Sequence, residues 1–106
     1  MLPLRRVVVQ GPSMAPTLHH GDRLLVWLRA PRRTPAVGRI VLVNLPGRPL
    51  SVKRLTAAED GDGLIRIQGD NEFASTDSRQ LGSLPASLID GIVLCRFWPR
   101  PRRFVP

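Results

Sequence analysis

The sequence predicts a mainly β fold, a single antiparallel and partly closed domain over residues 1–106. Three observations lead to it. Short runs of branched and aliphatic residues recur along the chain, each set off by Gly or Pro. Eleven prolines and nine glycines exclude long helices over most of the length. With 106 residues the chain can enclose one modest core but not two.

The first strand is expected at 7–10, which opens on three consecutive valines. The second, 24–28, is the longest uninterrupted apolar run, and its five residues fall far short of the roughly 20 that a membrane-crossing helix needs. Strands at 40–45 and 50–55 follow, parted by Pro46-Gly47. Asp60-Gly61-Asp62-Gly63 reads as the turn of a hairpin leading into a strand at 64–68. A short helical turn is expected over 85–89, with Ser83 as its cap and Pro85 near its start, and the last strand at 92–97.

The net charge of +8 is concentrated. Eight basic residues and no acidic one lie between Arg23 and Arg54, and Arg96, Arg100, Arg102 and Arg103 alternate with Phe97, Trp98 and Phe104 near the end. Such patches suit anionic lipid or phosphate backbones. No helix-turn-helix, zinc-finger or RNA-binding sheet motif accompanies them, so no nucleic acid is expected, and a noncatalytic basic β module stands as an alternative of another class. Cys95 has no disulfide partner and sits in Ile92-Val93-Leu94-Cys95, where a buried structural thiol is expected. His19 and His20 are adjacent and would point to opposite faces of an extended segment, so neither metal nor cofactor is expected. The opening residues lack the length and small-residue cleavage site of a signal peptide, which predicts a cytoplasmic protein.

Lys53 is the one lysine among fifteen arginines. Arginine stays protonated in proteins, whereas a lysine can be tuned to lose its proton and act as a base. Its nucleophile would be Ser13, held in a turn between two prolines in Gly11-Pro12-Ser13-Met14-Ala15-Pro16-Thr17-Leu18. A serine hydroxyl attacks poorly until a neighbour takes its proton. A lysine base acting at neutral pH needs its pKa brought from about 10.4 toward about 7 to 8, which burial against apolar groups can do. Strand alternation sets Lys53 on the face of Leu55, with Val52 and Arg54 opposite, so the amine is desolvated if the Leu55 face is the inner one.

Four segments in order resemble the type I signal peptidase family. They are the Ser13 run continuing into Gly21-Asp22-Arg23-Leu24-Leu25-Val26, then Gly38-Arg39-Ile40-Val41, then Val52-Lys53-Arg54-Leu55, and last Gly69-Asp70-Asn71 with Ser75-Thr76-Asp77-Ser78-Arg79, Gly82, Leu84-Pro85 and Ile89-Asp90-Gly91. The run from Gly11 to Val26 is most similar to the small, anchorless nickel-type superoxide dismutase maturation proteases. The resemblance implies a serine endopeptidase on a β fold that cuts the leader from a precursor protein, with no membrane anchor and no inserted cap domain. It implies Ser13 as nucleophile, Lys53 as general base and Ser75 as the hydroxyl that aims the amine. It also implies an Asp77–Arg79 ion pair bracing the loop, and Asp70 and Asn71 shaping the turn beside the site. Met14 is expected on the substrate-pocket wall.

Two positions depart from the family pattern. Gly11 stands where many members carry an oxyanion-binding serine, and Arg39 stands where an acidic residue is usual. Removal of secretory signal peptides at the membrane surface is the alternative activity, for which the basic aromatic tail of residues 96–106 offers peripheral contact with an anionic membrane. Self-cleaving repressor domains share the dyad, but only twelve residues precede Ser13, which leaves little room for a cut in cis.

Overall fold

Alternation along the strands sends neighbouring side chains to opposite faces, and this sheet buries an apolar cluster on each face. The computed structural model describes residues 3–28, 34–59 and 63–104. Its strands are β1 (Leu4–Val8), β2 (Arg23–Leu28), β3 (Ile40–Val43), β4 (Ser51–Glu59), β5 (Leu64–Gln68), β6 (Leu84–Pro85), β7 (Ile89–Trp98) and β8 (Arg102–Arg103). They form one antiparallel sheet in the order β1-β2-β7-β3-β4-β5-β6, with β8 added against β7.

Leu24 and Val26 of β2, Ile40 and Leu42 of β3, Val52 of β4 and Val93 of β7 face a first cluster, together with Val9, Met14 and Leu18. The alternate residues Val41 and Val43 of β3, Leu55 of β4 and Ile65 and Ile67 of β5 face a second cluster, with Leu45 and Ile89. The sheet curls until the end of β1 faces the start of β4 across a narrow cleft, so it is open but partly closed.

The predicted strands are present with altered ends. β1 starts at Leu4 and stops at Val8, because its ladder ends where β2 begins, at Val8↔Arg23. β3 stops at Val43, since the Asn44 amide turns away to the Leu88 carbonyl at 2.9 Å. β4 runs on to Glu59, past a register shift between Leu55 and Ala57, and pairs with β5 as far as Glu59↔Leu64. Residues 60–62 of the expected hairpin turn lie outside the described residues.

The helical expectation at 85–89 is corrected to β6 followed by a single 3₁₀ turn, Ala86–Leu88, which has no side-chain cap. The α-helix lies earlier, as α1 (Ser78–Leu81). Asp77 caps it, and Gln80 Oε1 accepts from the Asp77 amide at 3.0 Å to complete a capping box. Cys95 is only partly buried, a correction to the expected core thiol, because it falls where β7 slips register against β2.

Candidate active site

The loop carrying Ser13 is closed at its base by two 2.9 Å backbone bonds, from the Val9 amide to the Asp22 carbonyl and from the Gly21 amide to the Val9 carbonyl. Met14 and Leu18, four residues apart, are fully buried in the first cluster, and the Leu18 amide donates to the Met14 carbonyl at 2.9 Å. These anchors fix the turn and leave Ser13 partly exposed on the wall of the cleft between β1 and β4, beside Val8, Gln10, Leu50 and Ser51. The cleft holds about 150 Å³. Met14 was expected on a pocket wall; its burial in the core takes it off that wall.

Lys53 is only 4% exposed and shares its strand face with Leu55, which is fully buried. The amine Nζ donates to Ser75 Oγ at 2.7 Å, and Ser75 Oγ donates to Asp77 Oδ2 at 2.7 Å. Because the Ser75 proton goes to Asp77, its lone pairs are turned to the amine. Burial pushes the Lys53 pKa below its usual value, Asp77 opposes that shift, and Arg79 and Arg48 add to it. Less charge on the amine leaves its lone pair open to a proton.

Asp77 is buried, and burial alone would raise its pKa. Against this, its carboxylate accepts from Arg79 Nη2 at 2.7 Å, Arg79 Nε at 3.1 Å, the Gly69 amide at 2.8 Å, Ser75 and the Arg79 amide, and these hold it well below the usual carboxylate range. Arg79 also donates to the Gly69 carbonyl at 3.1 Å. The Asp77–Arg79 ion pair therefore clasps the segment that carries Ser75.

The same segment meets the Ser13 loop. The Asn71 amide donates to the Ser13 carbonyl at 2.9 Å, and Asn71 Nδ2 donates to the Pro12 carbonyl at 3.1 Å. Gly69 is wedged where a Cβ would collide with both the Ser13 carbonyl and the Ser75 hydroxyl. Ser13 and the Lys53–Ser75 pair are thus neighbours across Gly69. A partly exposed serine on a loop bonded to the segment that holds a desolvated amine, itself bonded to a second hydroxyl, supplies the residue types that nucleophilic acyl transfer needs.

A model of the Peptidase S24-like family matches residues 4–79, a stretch that holds Ser13, Lys53, Ser75, Asp77 and Arg79. The chain belongs to that family. It is 41% identical over 115 residues to the mitochondrial ATP-independent inner membrane protease subunit 1a of Arabidopsis thaliana, covering 86% of this chain and 68% of the relative. To the human mitochondrial inner membrane protease subunit 1 it is 31% identical over 116 residues, covering 88% and 69%. It also resembles the signal peptidase complex catalytic subunit SEC11 of Metarhizium acridum, at 35% over 71 residues, which covers 64% of this chain and 41% of that protein. A Peptidase S24-like chain with such relatives is a peptidase of signal-peptidase type.

Several residues of this S24-like site escape a reading of the sequence. Asp70, expected to shape the turn, bridges two segments instead: it accepts Arg54 Nε at 2.8 Å, Arg54 Nη2 at 2.7 Å and Thr17 Oγ1 at 2.5 Å. Arg54 also donates to the Gly38 carbonyl at 2.7 Å, tying the loop before β3 into the same network. Arg54 follows Lys53 directly, but its pairing with a residue sixteen positions on carries no local signal. Asp22 accepts from the His19 amide at 2.9 Å and from Arg96 Nη1 at 3.2 Å, and His20 Nδ1 accepts the Gly11 amide at 2.9 Å. Both histidines are therefore tied into the loop that carries Ser13. Arg39, the departure from the family's acidic residue, has a buried Nε without a partner among the described residues.

Proposed function

We propose that this chain is a serine endopeptidase that removes an N-terminal leader from a precursor protein, with Ser13 as nucleophile and Lys53 as general base. The observation that carries the reading is the buried Lys53 amine, bonded to Ser75, whose hydroxyl and the Ser13 carbonyl both lie against Gly69. Lys53 takes the Ser13 proton as Oγ attacks the scissile carbonyl, then passes it to the leaving amine as the peptide bond breaks. Water repeats the sequence on the acyl-enzyme. Among the described residues no acceptor takes the Ser13 amide, which leaves it available to the oxyanion, while the Gly11 amide is occupied by His20.

The substrate we favour is a nickel-type superoxide dismutase precursor, on the likeness of the Gly11–Val26 run to its maturation proteases. Such a precursor would be met in the cytoplasm, and any nickel would belong to the substrate. A second reading, signal-peptide removal at a membrane surface, is favoured by one observation. Leu4, Val8, Trp27 and Trp98 are exposed on β1, β2 and β7, and the Arg23 guanidinium lies 4.7 Å from the centre of the Trp98 ring. Arginine and tryptophan side by side suit the headgroup region of an anionic membrane. Phe104 does not contribute to that contact, because it packs against the first cluster under Arg102.

Cleavage of two purified precursors separates the readings: a nickel superoxide dismutase precursor with its leader, and an exported protein with an A-x-A signal peptide. Cutting of the first alone, lost in Ser13→Ala and Lys53→Met, supports the maturation protease. Cutting of the second supports signal-peptide removal. Cutting of neither removes both proposed substrates and leaves the basic binding module to be tested.

A further inference from the structure

Phe73 is 93% exposed, a large apolar ring with no packing role in the fold. It is not on a slack loop. It sits in the 3₁₀ turn Glu72–Ala74, where the Phe73 amide donates to Asn71 Oδ1 at 3.3 Å and the Ala74 amide to the Asn71 carbonyl at 3.1 Å. Asn71 is the residue that also bonds the Pro12 and Ser13 carbonyls. Asn71 therefore ties the backbone that carries the ring to the Ser13 loop.

The ring stands on a second cleft, of about 530 Å³, walled by Ala15, Pro16, Gly69, Asn71 and Glu72. Gly69 is the partition: one side touches Ser13 and Ser75, and the other lines this cleft. Arg54 and Arg79 on its floor are each paired with their own carboxylate, Asp70 and Asp77. Glu72 at the rim has only a loose 3.8 Å contact with Arg79 and is largely exposed.

We infer that this cleft receives the first residues of the chain released by cleavage, with Phe73 covering an apolar side chain there. The inference rests on the endopeptidase reading. In that reaction the peptide bond breaks, the acyl half stays on Ser13 in the narrow cleft beside β1, and the amine half takes its proton from Lys53. The Lys53–Ser75 pair adjoins Gly69, so the amine half leaves on the Gly69 side, toward Phe73. The Glu72 carboxylate complements the ammonium that forms and repels an acidic side chain.

The test uses precursors with one fixed leader, varied to Leu, Gly or Asp at each of the first three positions after the cut, with wild type and Phe73→Ala. At one of those positions wild type is expected to favour Leu over Gly by about fivefold or more in kcat/KM, and Phe73→Ala to lose that preference while keeping its discrimination on the leader side. Because the ring is exposed, Phe73→Ala should melt with wild type. In a second arm, hexapeptides matching the start of the released chain are titrated into full-length Ser13→Ala protein. Amide shifts at Ala15, Asn71 and Phe73 are expected for the Leu peptide, and their loss in the Ser13→Ala/Phe73→Ala protein.

A preference that survives Phe73→Ala, or no preference and no shifts in wild-type sequence at Phe73, overturns the assignment. Loss of vesicle binding in Phe73→Ala with cleavage preference intact would make the ring a membrane contact and equally overturn it. If no precursor is cut, the endopeptidase reading falls and this inference with it, whereas cutting that does not depend on Phe73 overturns this inference alone.

Discussion

Gly69→Ala should disable the site while leaving the fold standing. The Gly69 backbone is not in the left-handed region, so the substitution tests space alone. A methyl group would stand 2.7 Å from Ser75 Cβ, and closer to the Ser13 carbonyl and the Ser75 hydroxyl, where ordinary contact begins at 3.4 Å. Neighbours must retreat by about 1 Å, and a displacement of that size at a reacting group costs about 100-fold in rate. Overpacking itself costs about 1–3 kcal/mol of stability.

Gly91→Ala is the matched control. Its methyl group would meet Val26 Cγ1 at 2.6 Å and the Trp27 carbonyl at 2.7 Å, between β7 and β2 and away from Ser13. Urea unfolding is expected to show similar losses of stability for the two variants. Leader cleavage, scaled to the folded fraction, should drop only in Gly69→Ala. Equal activity in both variants would show that Gly69 does not space Ser13 from Ser75.

Lys53→Met should abolish cleavage yet stabilise the fold. The folded pKa of Lys53 is lowered, so the unfolded chain binds the extra proton between that pKa and the ordinary 10.5, and wild-type stability rises with pH across that window. The gain from Met is therefore largest below the window and fades toward pH 10.5, which urea midpoints across pH will reveal; a gain that ignores pH would contradict it. Asp77→Asn should cost about 1–3 kcal/mol at neutral pH by weakening the bonds from Arg79, Gly69 and Ser75. Since the folded Asp77 pKa is depressed, its contribution is full above the usual carboxylate pKa of 3.8 and is lost as pH falls through the folded value, so acid denaturation should narrow the gap between wild type and variant. Arg54→Lys should cost about 1–2 kcal/mol, because an ammonium cannot reproduce the fork onto Asp70 and the bond to Gly38 together; thermal melts at low and high salt will measure it.

How much of this was legible in the sequence follows from the range of each interaction. β2 and β3 are announced by consecutive apolar residues and β5 by Leu64, Ile65 and Ile67, which suit a pleated, buried surface. The extension of β4 through Thr56, Ala57 and Ala58 is silent, since alanine has little strand preference and pairing with β5 supplies it. α1 is too short to show a helical period, although Asp77 and Gln80 at capping-box spacing were there to be read. Met14 was misplaced because it adjoins Ser13. Its spacing of four from Leu18 was the sign that both turn inward. The Asp70 bridge to Arg54 and Thr17 joins three distant segments, so only the folded chain contains it.

Burying a lysine in so small a domain needs an account, because 106 residues leave few positions far from water. Here β4 is covered on both faces: Val52 reaches the first cluster, while Lys53 and Leu55 look toward the second, and these residues are 6%, 4% and 0% exposed. An edge strand could not desolvate its amine this way. β4 lies between β3 and β5, and the 69–79 segment closes over Lys53 through Ser75. The two clusters are therefore more than a source of stability. By placing β4 inside the sheet with apolar side chains above and below, they create the desolvation that lowers the Lys53 pKa, and on the proposed function the fold carries that unfavourable burial as the condition for a lysine base.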